Sequence, residues 1–488
     1  MLRIENQIKL SEYERLYDIL IPDDNILRKI KENIDFSFVN PMLAKCYCEH
    51  FGRPAKEPEM MFKLLFLKKL YDLSDEKLIE NARMHMAYKY FLNLNPEDEI
   101  IDSSLLTKFR KTRVTEDILD EMLRETIRQA INKKLIKSTA IIVDATHSKA
   151  NAAAKSPTEI LRKLTKELRK EIYREMYDLS DKFPDKPSET ADLTEEIEYT
   201  KKLMENTKNE IMQAASDKIK EKYEQIHRLL EDEKIRKIRS AQDEDARFGH
   251  KGPTQTFFGY KIHLGLTEER FISAVEVTSG EAADGDVTQK LTEQSIANGI
   301  EVKEINGDMA YSTIANIEYC KENNIALISK LNPLISNTAE PKNDGFIYNK
   351  DAGTMQCPAG NLAINCRHQK PQKEHWNSTD VYKFSKFICR KCPLLSQCKV
   401  GLSKTQTYSV SIMSDLHQGQ LDFQNTEYFK ERSRGRYKIE AKNAELKCTH
   451  GLDRADSVGL FPMRLQSYFT AFTANVKRIV KLSESVTG

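Results

Sequence analysis

Apolar positions recur at helical spacing through the first 135 residues. Pro58-Glu59-Met60-Met61-Phe62-Lys63-Leu64-Leu65-Phe66-Leu67 is one such run; Leu105, Phe109, Ile118, Leu119, Met122 and Leu123 mark later ones. Asp102-Ser103-Ser104 reads as the N-cap of the second run. The texture changes at Ser138. Thr139-Ala140-Ile141-Ile142-Val143-Asp144 is a short β-branched run that predicts a strand buried on both faces and ending on a carboxylate. Residues 156–240 return to helical spacing, opened by the capping box Ser156-Pro157-Thr158-Glu159. Leu161, Leu164, Leu168, Ile172, Met176 and Leu179 follow, and the Pro-rich stretch at 183–188 breaks the helix. A second helical stretch runs from Asp192 to Ile238, so an antiparallel hairpin of two helices is expected.

Strand texture resumes at 257–266 and 271–277, with Thr267-Glu268-Glu269-Arg270 as the turn. A helix near 287–297 precedes a strand at 302–308 that ends on a second carboxylate, Asp308. A helix at 314–323 and a strand at 325–329 complete a β-α-β unit, which requires parallel strands. Residues 333–425 read as irregular and hold five of the nine cysteines. The block from Tyr428 reads as helical. The expected fold class is α/β, or α+β over the whole chain. A helical domain (1–135) leads a core in two pieces (136–155 and 251–332). A helical insertion (156–250) and a cysteine-rich insertion (333–425) interrupt that core, which residues 426–488 complete.

With 40% hydrophobic and 31% charged residues in 488, the collagen-like, low-complexity and wholly disordered classes are excluded. No apolar run approaches the ~18 residues a membrane span needs. The N-terminus carries acidic residues and no apolar core, so a signal peptide is not expected. Cysteines in that setting fit a reducing, cytoplasmic compartment, where close pairs suggest metal sites before disulfides. A net charge of +2 decides nothing about a polyanionic partner. Residues 430–481, however, hold twelve Lys or Arg against five Asp or Glu, a nucleic-acid candidate.

Ligands bind at the carboxyl ends of parallel strands, where Asp144 and Asp308 are expected. Two carboxylates there repel unless a cation lies between them, and oxygen-only ligands favour Mg²⁺ or Mn²⁺. A third acid comes from the C-terminal helix. Steps of four and seven keep Arg436, Glu440 and Lys447 within about 40° on one helix face, whereas Glu445 falls about 180° from Arg436. Arg and Lys beside an acid can grip phosphates. Taken singly, each acid also fits a turn, a cap or a solvated face.

These residues carry a family resemblance. The chain resembles the DDE transposases of bacterial insertion sequences, whose catalytic core is RNase H-like, over nearly its whole length. Gly52-Arg53-Pro54 and Ser103-Ser104-Leu105-Leu106-Thr107-Lys108-Phe109-Arg110 are similar to that family's leading domain. Ile142-Val143-Asp144-Ala145-Thr146 resembles its first-Asp strand. Residues 240–249 leading into Gly259-Tyr260-Lys261 resemble the segment before the second strand, and Gly307-Asp308 with Tyr311 the second-Asp motif. Arg436-x3-Glu440-x6-Lys447 matches the Arg-Glu-Lys part of the Tyr-Arg-Glu-Lys signature, with Ser433 where Tyr is common. Met309-Ala310 stands where Lys-Gly is common.

The resemblance implies an RNase H-like mixed sheet and two Mg²⁺ or Mn²⁺ ions on Asp144, Asp308 and Glu440. It implies cleavage of double-stranded DNA at the element's terminal inverted repeats, then transfer to target DNA by a nucleoid-associated homodimer. Arg436, Lys447 and Tyr311 would support phosphates or bases, Tyr311 by stacking or by plain core packing. Two other readings stay open: a decayed or co-opted DNA-binding protein, and a DNA nuclease without strand transfer.

Cys357, Cys389, Cys392 and Cys398 favour one structural Zn²⁺, with an iron–sulfur cluster or reduced thiols as alternatives and Cys366 and His368 as substitutes. His147 and His263 read as structural, and Cys46, Cys48, Cys320 and Cys448 as buried thiols. Trp376 has no assigned role.

Overall fold

The computed structural model describes residues 11–48, 54–231, 234–251, 255–332, 345–349, 354–370, 378–412 and 414–487. Gly52, Arg53 and Trp376 lie outside them. The described residues of the first block form eight helices: α1 (Leu16–Leu20), α2 (Ile26–Asn33), α3 (Val39–Ala44), α4 (Pro58–Leu70), α5 (Asp75–Met84), α6 (Met86–Phe91), α7 (Ser103–Arg113) and α8 (Glu116–Asn132). The cap at Asp102 is present, its carboxylate accepting from the Ser104 amide at 2.9 Å. Helix α4 is buried nearly all round, as its almost uninterrupted apolar sequence requires.

The central sheet holds β1 (Ala140–Lys149), β2 (Arg247–His250), β3 (Thr256–Thr267), β4 (Ile272–Ser279), β5 (Glu304–Asn306) and β6 (Ala326–Ile328). Its order is β2-β3-β1-β5-β6, with β4 also on β3. Strands β1, β3 and β4 are antiparallel neighbours; β5 and β6 run parallel to β1. Helix α12 (Thr288–Ala297) follows β4, and α13 (Ile314–Glu322) joins β5 to β6. This is the expected mixed, RNase H-like arrangement. One detail differs: β1 does not end at Asp144. Its second half continues to Lys149 because β3 supplies an antiparallel partner throughout, with Asp144 opposite Leu264.

The helical insertion has three helices, not two: α9 (Pro157–Glu175), α10 (Leu193–Ala214) and α11 (Asp217–Glu231). Ala215 turns extended, and the Ser216 carbonyl starts α11 by accepting from Ile219 and Lys220. The bundle buries its own core, including Leu168, Ile172, Ile211 and Ile226.

The cysteine-rich segment is also more regular than its sequence suggests. Strand β7 (Ile347–Asn349) pairs with β8 (Thr354–Gln356). Strands β9 (Asn365–Gln369), β10 (Ser378–Lys383) and β11 (Thr407–Ile412) form a second antiparallel sheet. Two short helices, α14 (Lys386–Arg390) and α15 (Lys399–Leu402), lie between β10 and β11. These strands are short and mostly solvated, so they leave little period-2 signal.

Four helices close the chain: α16 (Asp415–Gln424), α17 (Glu427–Ser433), α18 (Tyr437–His450) and α19 (Leu460–Thr487). Helix α19 runs through the middle of the molecule. Its Phe472 meets Phe36, Phe62 and Phe66 edge-on, with centroids 5.3–6.1 Å apart. On the sheet side, Asn475 accepts from the Ile272 amide at 2.8 Å and donates to its carbonyl at 2.9 Å. The N-terminal helices and the sheet therefore share one continuous core. Several basic residues of the 430–481 block are spent holding it. Arg464 binds Glu276 at 2.7 Å as well as Glu116, Arg478 donates to the Glu269 carbonyl, and Lys477 faces Glu445. The block is not one exposed cationic stripe.

Candidate active site

Ile142 on β1 faces Asn306 on β5 in parallel register. Two residues further along stand Asp144, still on β1, and Asp308, just past the end of β5, close enough for the charge of Asp308 to act on Asp144. Asp308 caps a single 3₁₀ turn, Met309–Tyr311, by accepting from the Ala310 amide at 2.9 Å. Gly307 lets this turn fold tightly: a Cβ there would lie 2.8 Å from the Tyr311 ring and 3.0 Å from Val143.

Tyr311 is 0% exposed beneath that turn, so it offers no face to a base. Its hydroxyl has no hydrogen-bond partner among the described residues.

Helix α18 carries the third acid and is fixed at both ends. Ahead of it, Arg432 on α17 grips both carboxylate oxygens of buried Glu304 at 2.8 Å, and Tyr428 donates to the same group at 2.7 Å. The Asn306 amide reaches the Arg432 carbonyl at 2.7 Å. At the far end, His450 Nδ1 lies 2.8 Å from the Lys69 carbonyl on α4, and Gly451 adopts the left-handed cap (φ 65°). Arg436, at the start of the helix, lies 3.9 Å from Asp308 and donates to Glu440 at 3.1 Å. One guanidinium thus spans the second and third acids. Glu440 itself is largely exposed (59%). Glu445, on the opposite face, is held by Lys442 at 2.7 Å and faces Lys477.

Burial pushes the Asp144 carboxyl up to about 6. Arg436 opposes this, while the charges of Asp308 and Asp284 add to it. Burial lowers Lys447 to about 8, helped by Lys251. Its ammonium lies 3.4 Å from the His147 ring nitrogens, and burial with that neighbour holds His147 near 4, uncharged at neutral pH. His263 is buried at Thr278 (2.8 Å).

Three contributors escape a sequence reading. Asn443 donates to Asp144 at 2.9 Å; it lies three residues beyond Glu440, on the same helix face, which was its one available signal. The Glu304–Arg432 pair links residues far apart in the chain. Asp284 gives no motif at all, although its charge reaches both Asp144 and Tyr311.

The donor set suits hard divalent ions: oxygen ligands, mutual repulsion between acids, and an orphaned hydroxyl beneath them. Among the described residues no three His, Cys, Asp or Glu side chains come together in a group able to hold a metal ion.

Cys357, Cys389, Cys392 and Cys398 line one pocket of about 380 Å³. Burial and the three neighbouring thiols push Cys389 up, and Cys398 Sγ accepts from the Gly401 amide at 3.3 Å. Cys366 and His368 lie on β9, where His368 pairs with Asp380 at 2.8 Å. Of the four thiols expected to be buried, only Cys320 is; Cys46 is half-buried, and Cys48 and Cys448 are exposed.

The fold places the chain among RNase H-like proteins. Residues 15–112 match the family described as Transposase domain (DUF772), and residues 356–480 match the Transposase DDE domain. The two matches support a DDE transposase of an insertion sequence. An uncharacterized protein, ORF8 in the nfe locus of Rhizobium meliloti, is 32% identical over 82 residues, 16% of this chain and 39% of that protein. The chain thus spans under half of this relative. Among the described residues no helix is long and apolar enough to cross a membrane.

Proposed function

We propose that this transposase binds the ends of its insertion sequence and carries out metal-dependent strand cleavage and strand transfer with Asp144, Asp308 and Glu440. The observation that carries this reading is the placement of Asp144 and Asp308 two residues beyond the paired Ile142 and Asn306, with Arg436 beside both Asp308 and Glu440. Two Mg²⁺ or Mn²⁺ ions held by these acids would activate water or a 3′-hydroxyl and stabilise the leaving oxygen.

The chain's own residues prepare that chemistry. Asn443 fixes the orientation of Asp144 by donating to one of its oxygens. Arg436 lies beside both Asp308 and Glu440, and with those acids holding cations its guanidinium would be free to face a DNA phosphate. Lys447, half-buried beside β1, adds a second cation for the backbone. No protein nucleophile is required. Water attack breaks a phosphodiester and frees a 3′-hydroxyl, which attacks a target phosphodiester and displaces its 3′-oxygen. The helical block 1–135 serves DNA binding and assembly, with two copies bridging two element ends at the nucleoid.

The test is Mg²⁺-dependent nicking of the element's terminal inverted repeats. Asp144→Ala should abolish nicking and retain binding; nicking that persists in this variant refutes the assignment. Nicks without joined products would favour the nuclease, and end binding without nicks the co-opted DNA-binding protein.

A further inference from the structure

The cysteine-rich insertion carries a one-sided charge. From Val381 to Ser414 the sequence holds six Lys or Arg and no Asp or Glu. Arg464 and Arg478 on α19 are spent on groups of the core. By contrast, Lys386, Arg390, Lys391, Lys399 and Lys404 form no ion pair among the described residues. Unpaired like charges gathered in so short a stretch repel one another until a polyanion neutralises them.

The same stretch exposes apolar side chains beside these cations. Its small core closes without them: Met355, Tyr382 and Phe384 are buried, and Phe346 stacks on Tyr408 at 4.2 Å. Phe387 follows three residues after Phe384, on the short helix α14, and remains 69% exposed. It lines one open groove with Ile388, Pro393, Leu394 and Lys391. The Lys391 ammonium lies 4.3 Å from the centroid of the Phe387 ring and steadies it by a cation–π contact. Single exposed apolar residues are ordinary, but a contiguous group marks an interaction surface. An exposed ring with aliphatic and proline neighbours, rimmed by free cations, has the composition of a wedge that opens a base step of duplex DNA. Such a wedge enters from the minor groove while cations on either side neutralise phosphates.

We propose that the cysteine-rich insertion is a second DNA-binding surface, which inserts Phe387 into a base step of duplex DNA through the minor groove and bends the duplex there. The choice of DNA as the partner rests on the functional reading given above. The unpaired cations and the exposed ring belong to the insertion itself. Unstacking one step costs free energy, which burial of the ring and the added phosphate contacts offset. Pyrimidine–purine steps unstack most easily, so the bend falls at one of them. The insertion takes no part in breaking or forming bonds.

The experiment measures bending by the full-length chain, read as energy transfer between dyes at the two ends of a terminal-repeat duplex, alongside the salt dependence of binding. The parent should bend the duplex by about 20–90°. Phe387→Ala should remove most of that bend and keep the parent's Tm, because the ring is exposed. Phe387→Leu, which retains an apolar wedge, should restore the bend. Lys386→Gln combined with Lys391→Gln should lower the slope of log K against log salt by about 2. A parent-like bend in Phe387→Ala overturns the inference whatever the lysines do. If that variant instead changes the sedimentation of the free chain, the surface is a contact between two copies. A parent that binds and nicks the repeats but leaves them straight overturns this inference and not the functional reading. A parent that neither binds nor bends them overturns both.

Discussion

Asp144→Asn should stabilise the metal-free protein while abolishing its activity. In the folded chain burial raises this carboxyl from an ordinary 3.8 to about 6. That shift corresponds to about 3 kcal/mol against the ionised native state, reduced to about 2 by the remaining solvent contact. Asn removes the charge and keeps an oxygen for Asn443 to donate to. Above pH 6 the acid is ionised in both folded and unfolded chains, so the penalty is fully present and the variant's advantage is largest. As pH falls from about 6 toward 4 the folded chain takes up its proton first, and the advantage fades. For a chain of this length about 2 kcal/mol is a rise of about 2 °C in Tm. The assay is a set of melts in EDTA at pH 7.5, 6 and 4.5. Adding Mg²⁺ should then raise the parent's Tm and leave the variant's unchanged. A lower Tm for Asp144→Asn at pH 7.5, or an advantage indifferent to pH, would refute the electrostatic account.

Arg432→Met leaves Glu304 buried with only Tyr428 as partner and should cost about 2 kcal/mol, read by denaturant unfolding. It should also slow strand cleavage more than it weakens DNA binding, because α18 loses its anchor. Phe472→Ala opens a void among four phenylalanines and should cost about 3–5 kcal/mol. Far-ultraviolet dichroism and tyrosine fluorescence should still report one shared transition; two separated transitions would contradict a common core. The four-thiol pocket should retain about one Zn²⁺ per chain after purification, measured by mass spectrometry, with Cys392→Ser lowering it. Metal-free protein of unchanged stability would leave the reduced-thiol reading.

The core's architecture was legible because its signals are local. The β-branched run at 140–143, the turn at Glu268–Arg270 and the 3.6-residue period of α8 and α13 each speak within a dozen residues. Asp144, Asp308, Arg436 and Glu440 could be nominated because two follow strand patterns and two share a helix face. What stayed hidden is long-range. Asn443 meets Asp144 only because α18 lies across β1, and the turns bearing Asp284 and Asp308 meet only because Asn316 ties them together. Part of the charge of α19 serves the fold for the same reason: Arg464 and Arg478 face acceptors hundreds of residues or many elements away. The break at Ala215 carries no Pro or Gly, so a two-helix pattern looked continuous.

Phe469, Phe472 and Asn475 give α19 a further consequence. They close a core whose other walls, Phe36, Phe62 and β4, are synthesised hundreds of residues earlier. Until translation passes Val480, those walls remain open to solvent and to chaperones. A prematurely ended chain therefore retains the acids at 144 and 308 but has no closed core to hold them level.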